Sequence, residues 1–213
     1  MSRTISAVVV GAGALGCALL PRLARMRISR LRIIDGDRVE PKNLENQPLY
    51  AEVDIGHSKV GTVRGWLQMV DPGKEICTED RFLDAANAHD LLRDAHIVAD
   101  CTDDLHAKAL LDRVCNELRI PLVSGAVHEA QGQVIVLHAP GANEQLGRAH
   151  LFRGRVISEQ DGCDMQRVPL ETIEAVGQRM AAIIRAFVQG SPPINGRIEL
   201  FDRAQWTVID APP

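Results

Sequence analysis

Residues 5–10 form a short, unbroken apolar run ending at Gly11, the pattern of a strand buried on both faces. Residues 15–26 carry apolar positions at helical spacing, interrupted only by Pro21, which removes one backbone donor and predicts a kink. A second strand over 31–34 closes on Asp35. The spacing predicts a helix over 58–70, stopped by the Asp71-Pro72-Gly73 turn, then a strand over 75–80 and a helix over 85–92. A buried strand at 97–99 ends at Asp100 and is followed by a helix over 105–118 and by strands at 121–124 and 133–138. Residues 140–158 hold no clean period and read as a loop. A final helix over 170–188 precedes a Gly-Ser-Pro-Pro turn at 190–193 and a closing pair of short strands.

Strands alternating with helices predict βαβ units. The expected fold is α/β: a mostly parallel sheet, helices on both faces, and a small antiparallel C-terminal extension. One domain is expected over 1–213, with its core in 1–138, a loop region in 139–169, and the last helix and strands in 170–213. Composition sharpens this picture. Apolar residues make up 46% and aromatic residues 3%, so the core is built from Val, Ile, Leu and Ala. The net charge of −4 is spread along the chain with no long basic run, which argues against a nucleic-acid binder. No apolar stretch is long enough to span a membrane, and the first residues lack the parts of a signal peptide. Five scattered cysteines without a Cys-x-x-Cys pair fit a reducing, cytoplasmic setting and predict no structural zinc. Cys17, Cys101 and Cys115 fall inside apolar elements and read as core, as does Trp66. His128 and His138 flank the hairpin without a companion ligand and read as isolated polar-edge histidines.

Candidate chemistry begins at the first turn. Gly11, Gly13 and Gly16 lie between a strand and a helix, where they permit a tight turn and close backbone approach, and the helix N-terminus attracts phosphate. Asp35 stands 19 residues beyond Gly16 at the end of the next strand, the place of a carboxylate that binds ribose hydroxyls in a Rossmann-like fold. The pattern specifies a nucleotide without choosing between NAD and ATP.

The residues beyond Asp35 make that choice. Asp35-Gly-Asp37-Arg-Val, then Asn43-Leu-Glu-Asn46-Gln47, resembles the signature of the ThiF/MoeB/HesA family. In order along the chain, Ser58-Lys59-Val, Asp100-Cys-Thr-Asp103-Asp104, the strand from Pro121 to Ala126 and Gly132-Gln133 are similar to that family's later motifs. The resemblance covers residues 5 to about 138 and implies an ATP-dependent adenylyltransferase. Its substrate would be the C-terminal carboxylate of a small ubiquitin-like or sulfur-carrier protein. It implies that Asp35 holds the ribose, that Asp37 and Asn43 belong to the nucleotide site, that Lys59 neutralises phosphate charge, and that Asp103 ligates Mg²⁺. Nucleophile and electrophile in such a reaction are both anionic, which is why cations are needed. The resemblance also implies a homodimer. Cys163, in Gly162-Cys163-Asp-Met-Gln, matches the place of a loop cysteine that in the family forms an adduct with the carrier.

The pattern departs from the family at four places. Asn46 stands where the family has arginine, and Arg38, Arg64 and Arg81 are the neighbouring arginines available to replace it. The first strand starts without the family's preceding helices, so each site is expected to need no arginine from a neighbouring chain. The Cys-x-x-Cys zinc pairs are absent, and Asp104 replaces an asparagine. Two other readings stand beside the adenylyltransferase: a non-catalytic partner subunit, suggested by the missing arginine, and an NAD-dependent oxidoreductase. The second rests on the glycine turn and Asp35 alone, with no catalytic pair visible beside a nicotinamide.

Overall fold

The computed structural model describes residues 4–139, 147–148 and 167–210. Eight strands form one sheet in the order β3-β2-β1-β4-β5-β6-β7-β8. The five strands β1 (Ser6–Val10), β2 (Arg30–Ile34), β3 (Glu75–Glu79), β4 (Ile97–Asp100) and β5 (Leu122–His128) run parallel. Three more, β6 (Gln131–Leu137), β7 (Arg197–Asp202) and β8 (Gln205–Asp210), continue the same sheet antiparallel from β5. The helices are α1 (Ala14–Ala24), α2 (Lys59–Val70), α3 (Ala88–Leu92), α4 (Leu105–Leu118) and α5 (Leu170–Val188).

The apolar strand runs are explained by what covers them. Ala7 and Val9 of β1 join a core with α1, α2 and α5, while Val8 and Val10 face a second core with α3 and α4. A strand covered on both faces has no polar side to show, so it reads as continuous hydrophobicity rather than alternation. Close approach on the α5 face needs small residues. A Cβ at Gly177 would lie 2.6 Å from the Ala18 Cβ of α1, and one at Gly125 would lie 2.5 Å from the Met180 sulfur.

Predicted bounds shift at several elements: β5 runs four residues past the expected end at 124, and α1 ends at Ala24, short of 26. Pro21 lies inside α1 without ending it, because one lost hydrogen bond is set against fully buried Leu19, Leu20 and Leu23. The helix predicted over 85–92 shrinks to α3, because the Asp84 carboxylate accepts the N–H groups of Ala86 and Asn87 and holds a turn there. Cys17, Cys101 and Cys115 are buried as expected, and Trp66 packs half-buried against the core. His138 differs from expectation: it is buried, with a ring nitrogen 2.7 Å from Asp112 of α4, so it is an internal partner and not a polar-edge residue. Among the described residues, no helix is long and apolar enough to cross a membrane.

Candidate functional site

The strand order reverses around β1, which lies between β2 and β4, so the loops leaving β1 and β4 part to opposite sides. In open α/β sheets ligands bind in the crevice at such a point, outside the carboxyl ends of the strands. The first loop is the glycine turn. Gly11 has a φ of +97°, and a Cβ there would stand 2.7 Å from the Cys101 carbonyl oxygen of the loop after β4. A Cβ at Gly16 would press on the Gly11 carbonyl oxygen. Gly13 is different, since nothing lies within 4 Å of where its Cβ would be. It is also the N-cap of α1 and supplies no side-chain cap to the first N–H groups of the helix.

Asp35, at the end of β2, is 8% exposed. One carboxylate oxygen accepts the Ala12 N–H at 2.6 Å and the other the Asp37 N–H at 2.8 Å. Burial pushes its pKa above the usual carboxylate range, against the opposing pull of those two N–H groups and of Lys59. Residues 38–58 leave the sheet and close on themselves before α2, with the Val39 N–H donating to the His57 carbonyl and Arg38 bridging Ser58. This closed excursion carries most of the remaining candidate residues. Asn43 is buried, and its side-chain oxygen accepts the Glu40 N–H at 2.9 Å, which leaves its amide nitrogen as the donor face. Asn46 is half-buried at the end of the same 3₁₀ turn. Lys59 opens α2, is 5% exposed, and ion-pairs with Asp37 at 2.9 Å. Of the arginines named as substitutes, Arg38 pairs with Asp80 at 3.3 Å and Arg81 with Glu79 at 3.0 Å, at the end of β3. Arg64 is exposed on α2.

The loop after β4 carries Asp103, an exposed carboxylate, and Asp104, whose side chain caps α4 by accepting the His106 N–H. The loop is anchored by Asp100, a motif residue to which the sequence assigned no role. Asp100 has no exposed surface; one oxygen accepts the Thr102 N–H and hydroxyl, the other the Lys108 ammonium at 3.0 Å and the Ser124 hydroxyl at 2.5 Å. Arg148 donates to the same Ser124 hydroxyl at 2.6 Å. Burial alone would raise the Asp100 pKa, but Lys108, Ser124, Thr102 and Arg148 together bring it below the usual range. Sequence reasoning missed Lys108 and Tyr50. Lys108 had a visible signal, since it lies on the apolar stripe of α4 with Leu111 and Cys115, a place where a lysine needs a buried partner. Cys163 lies outside the described residues.

The glycine turn, the buried acid at the end of β2 and the strand order define a doubly wound α/β domain. The chain belongs to the ThiF family, whose model matches residues 2–211. It is 34% identical over 152 residues to molybdopterin-synthase adenylyltransferase of Haemophilus influenzae, covering 71% of this chain and 63% of that protein. It is 34% identical over 142 residues to a sulfur carrier protein adenylyltransferase of Thermus thermophilus, covering 67% and 52%. The chain thus spans between half and two thirds of the length of these relatives. Among solved structures, Escherichia coli MccB with ATP shares the fold at a TM-score of 0.80 and 15% identity, covering 98% of this chain and 64% of that one.

Proposed function

We propose that this chain binds ATP and adenylates the C-terminal carboxylate of a small ubiquitin-like or sulfur-carrier protein. The observation that carries the reading is the Asp35–Ala12 clamp beside the open Gly13 and the side-chain-free N-terminus of α1, in a chain of the ThiF family. The glycine positions fit a polyphosphate, because Gly13 leaves room for it while Gly11 and Gly16 are committed to the close packing of the turn. The names of the two adenylyltransferase relatives support the reaction class and the carrier.

In this reading Asp35 accepts the ribose hydroxyls, and the first N–H groups of α1 receive the phosphates. Lys59, now paired with Asp37, turns to the phosphates and offsets the repulsion between the carrier carboxylate and the α-phosphate. Attack forms the acyl–phosphate bond and breaks the α–β phosphoanhydride, releasing pyrophosphate. Magnesium would supply charge neutralisation on the phosphate oxygens. Among the described residues no cluster of three His, Cys, Asp or Glu side chains is placed to hold a metal ion. The donor set therefore suits a magnesium carried largely by phosphate and water, with Asp103 as its protein oxygen, the usual manner of this ion.

Calorimetric titration should find that ATP with Mg²⁺ binds more tightly than NAD, and tighter NAD binding would overturn the reading. In carrier-dependent ATP–pyrophosphate exchange, Lys59→Ala and Asp103→Ala should each lower the rate at least about a hundredfold. Exchange unaffected by both changes would show that these two residues do not carry the chemistry. ATP binding without exchange, across carriers ending in Gly-Gly, would favour the non-catalytic partner suggested by Asn46.

A further inference from the structure

The chain has one tyrosine, and its hydroxyl is spent on the glycine turn. Tyr50 is buried and donates to the Ala12 carbonyl oxygen at 2.6 Å, across 38 residues of sequence. The Ala12 N–H donates in turn to Asp35, and the Cys17 thiol approaches the Ala12 carbonyl at 3.7 Å. Ala12 is thus held at its amide and its carbonyl by side chains from two other segments. Its neighbours on either side are glycines, which on their own restrict the backbone least. A phenylalanine would fill nearly the same volume, so packing does not account for the oxygen. A buried hydroxyl is costly unless it is paired, and this one is paired with the turn.

Tyr50 is also tied to the excursion that carries Asn43. Its N–H donates to the Gln47 carbonyl, and the Gln47 N–H donates to the Asn43 carbonyl. No strand joins that segment directly to the turn, so the tyrosine hydroxyl sets one against the other. We propose that Tyr50 is a positioning residue for the nucleotide phosphates: its hydroxyl fixes the Ala12 peptide so that the N–H groups at the start of α1 stay aimed at them, in register with Asn43. The inference rests on the nucleotide reading above and adds to it a residue that touches no nucleotide atom.

The test compares ATP with adenosine, which keeps the base and ribose but has no phosphate, on the full chain and its Tyr50→Phe variant. ATP should bind the variant about five-fold more weakly, the loss of one hydrogen bond of about 1 kcal/mol, while adenosine binds both proteins alike. Amide exchange should rise in residues 11–17 of the variant and stay unchanged elsewhere in β1 to β4. Unchanged ATP affinity overturns the inference. So does an equal loss for adenosine, or a uniform rise in exchange, since either assigns Tyr50 to packing alone. A wild-type chain that binds neither ligand overturns the nucleotide reading and this inference with it.

Discussion

Asp100 has no exposed surface, yet four facing neighbours hold its carboxyl below the usual carboxylate range. Replacing it with asparagine keeps the shape and removes the charge, leaving Lys108 at 3% exposure without its anion. Breaking a buried pair from one side costs about 3–5 kcal/mol, so Asp100→Asn should lower the urea midpoint by a large part of the whole stability. The pH dependence has a definite sign. Folding lowers this carboxyl below its ordinary value of 3.8, so its contribution is complete above that value and is lost as pH falls through the lowered one. The acid limb of the stability curve should therefore flatten in Asp100→Asn. An unaltered limb, measured by urea unfolding between neutral pH and the acid transition, would show that other carboxylates govern it.

At the scale of elements, the turn from β1 into α1 separates two roles that glycine plays within one motif. Gly16 is required by the fold, since a Cβ would meet the Gly11 carbonyl, and Gly16→Ala should cost about 1–3 kcal/mol by urea titration. Gly13 has a φ of −76° and open space around it, so Gly13→Ala should stay within about 1 kcal/mol of the parent. Its methyl group, however, enters the volume proposed for phosphate, and ATP affinity should fall at least about tenfold. Equal ATP binding by Gly13→Ala would move the phosphates elsewhere. The strands and α5 were legible because a doubly covered strand and a long amphipathic helix write their burial into the chain directly, as residues 5–10 and 170–188 do. The turn at Asp84 was not, because a side chain that captures backbone N–H groups leaves the apolar spacing of a helix intact while shortening it. The site was legible where one residue type forces one geometry, as at Gly11 and Asp35. It was hidden where the partners are remote: Tyr50 meets Ala12, and Lys108 meets Gly125, only through the tertiary fold.

For the whole molecule, the most telling surface lies on the excursion and the outer side of α2. Val53 is 79% exposed and Met69 76%, and Ile55 and Val70 add to the same stretch of chain. An open cleft of about 530 Å³ on this side is lined by Leu49, Trp66 and Met69 together with the polar Asp54, His57, Ser58 and Thr62. Large apolar side chains this exposed are candidates for a contact with a partner. The family resemblance implies a homodimer, a closed twofold pair is the commonest soluble assembly, and this face is proposed as its contact. The net charge of −4 offers little repulsion to oppose it. Light scattering on the purified chain should give a dimer at micromolar concentration. Met69→Glu and Val53→Lys each place a charge in the apolar face, so either should weaken the dimer by about tenfold or more, with thermal stability of the subunit maintained. Both positions are exposed within the subunit, which is why folding should tolerate the change. A parent chain that scatters as a monomer would refute the assembly, and a dimer indifferent to both charges would place its interface on another face.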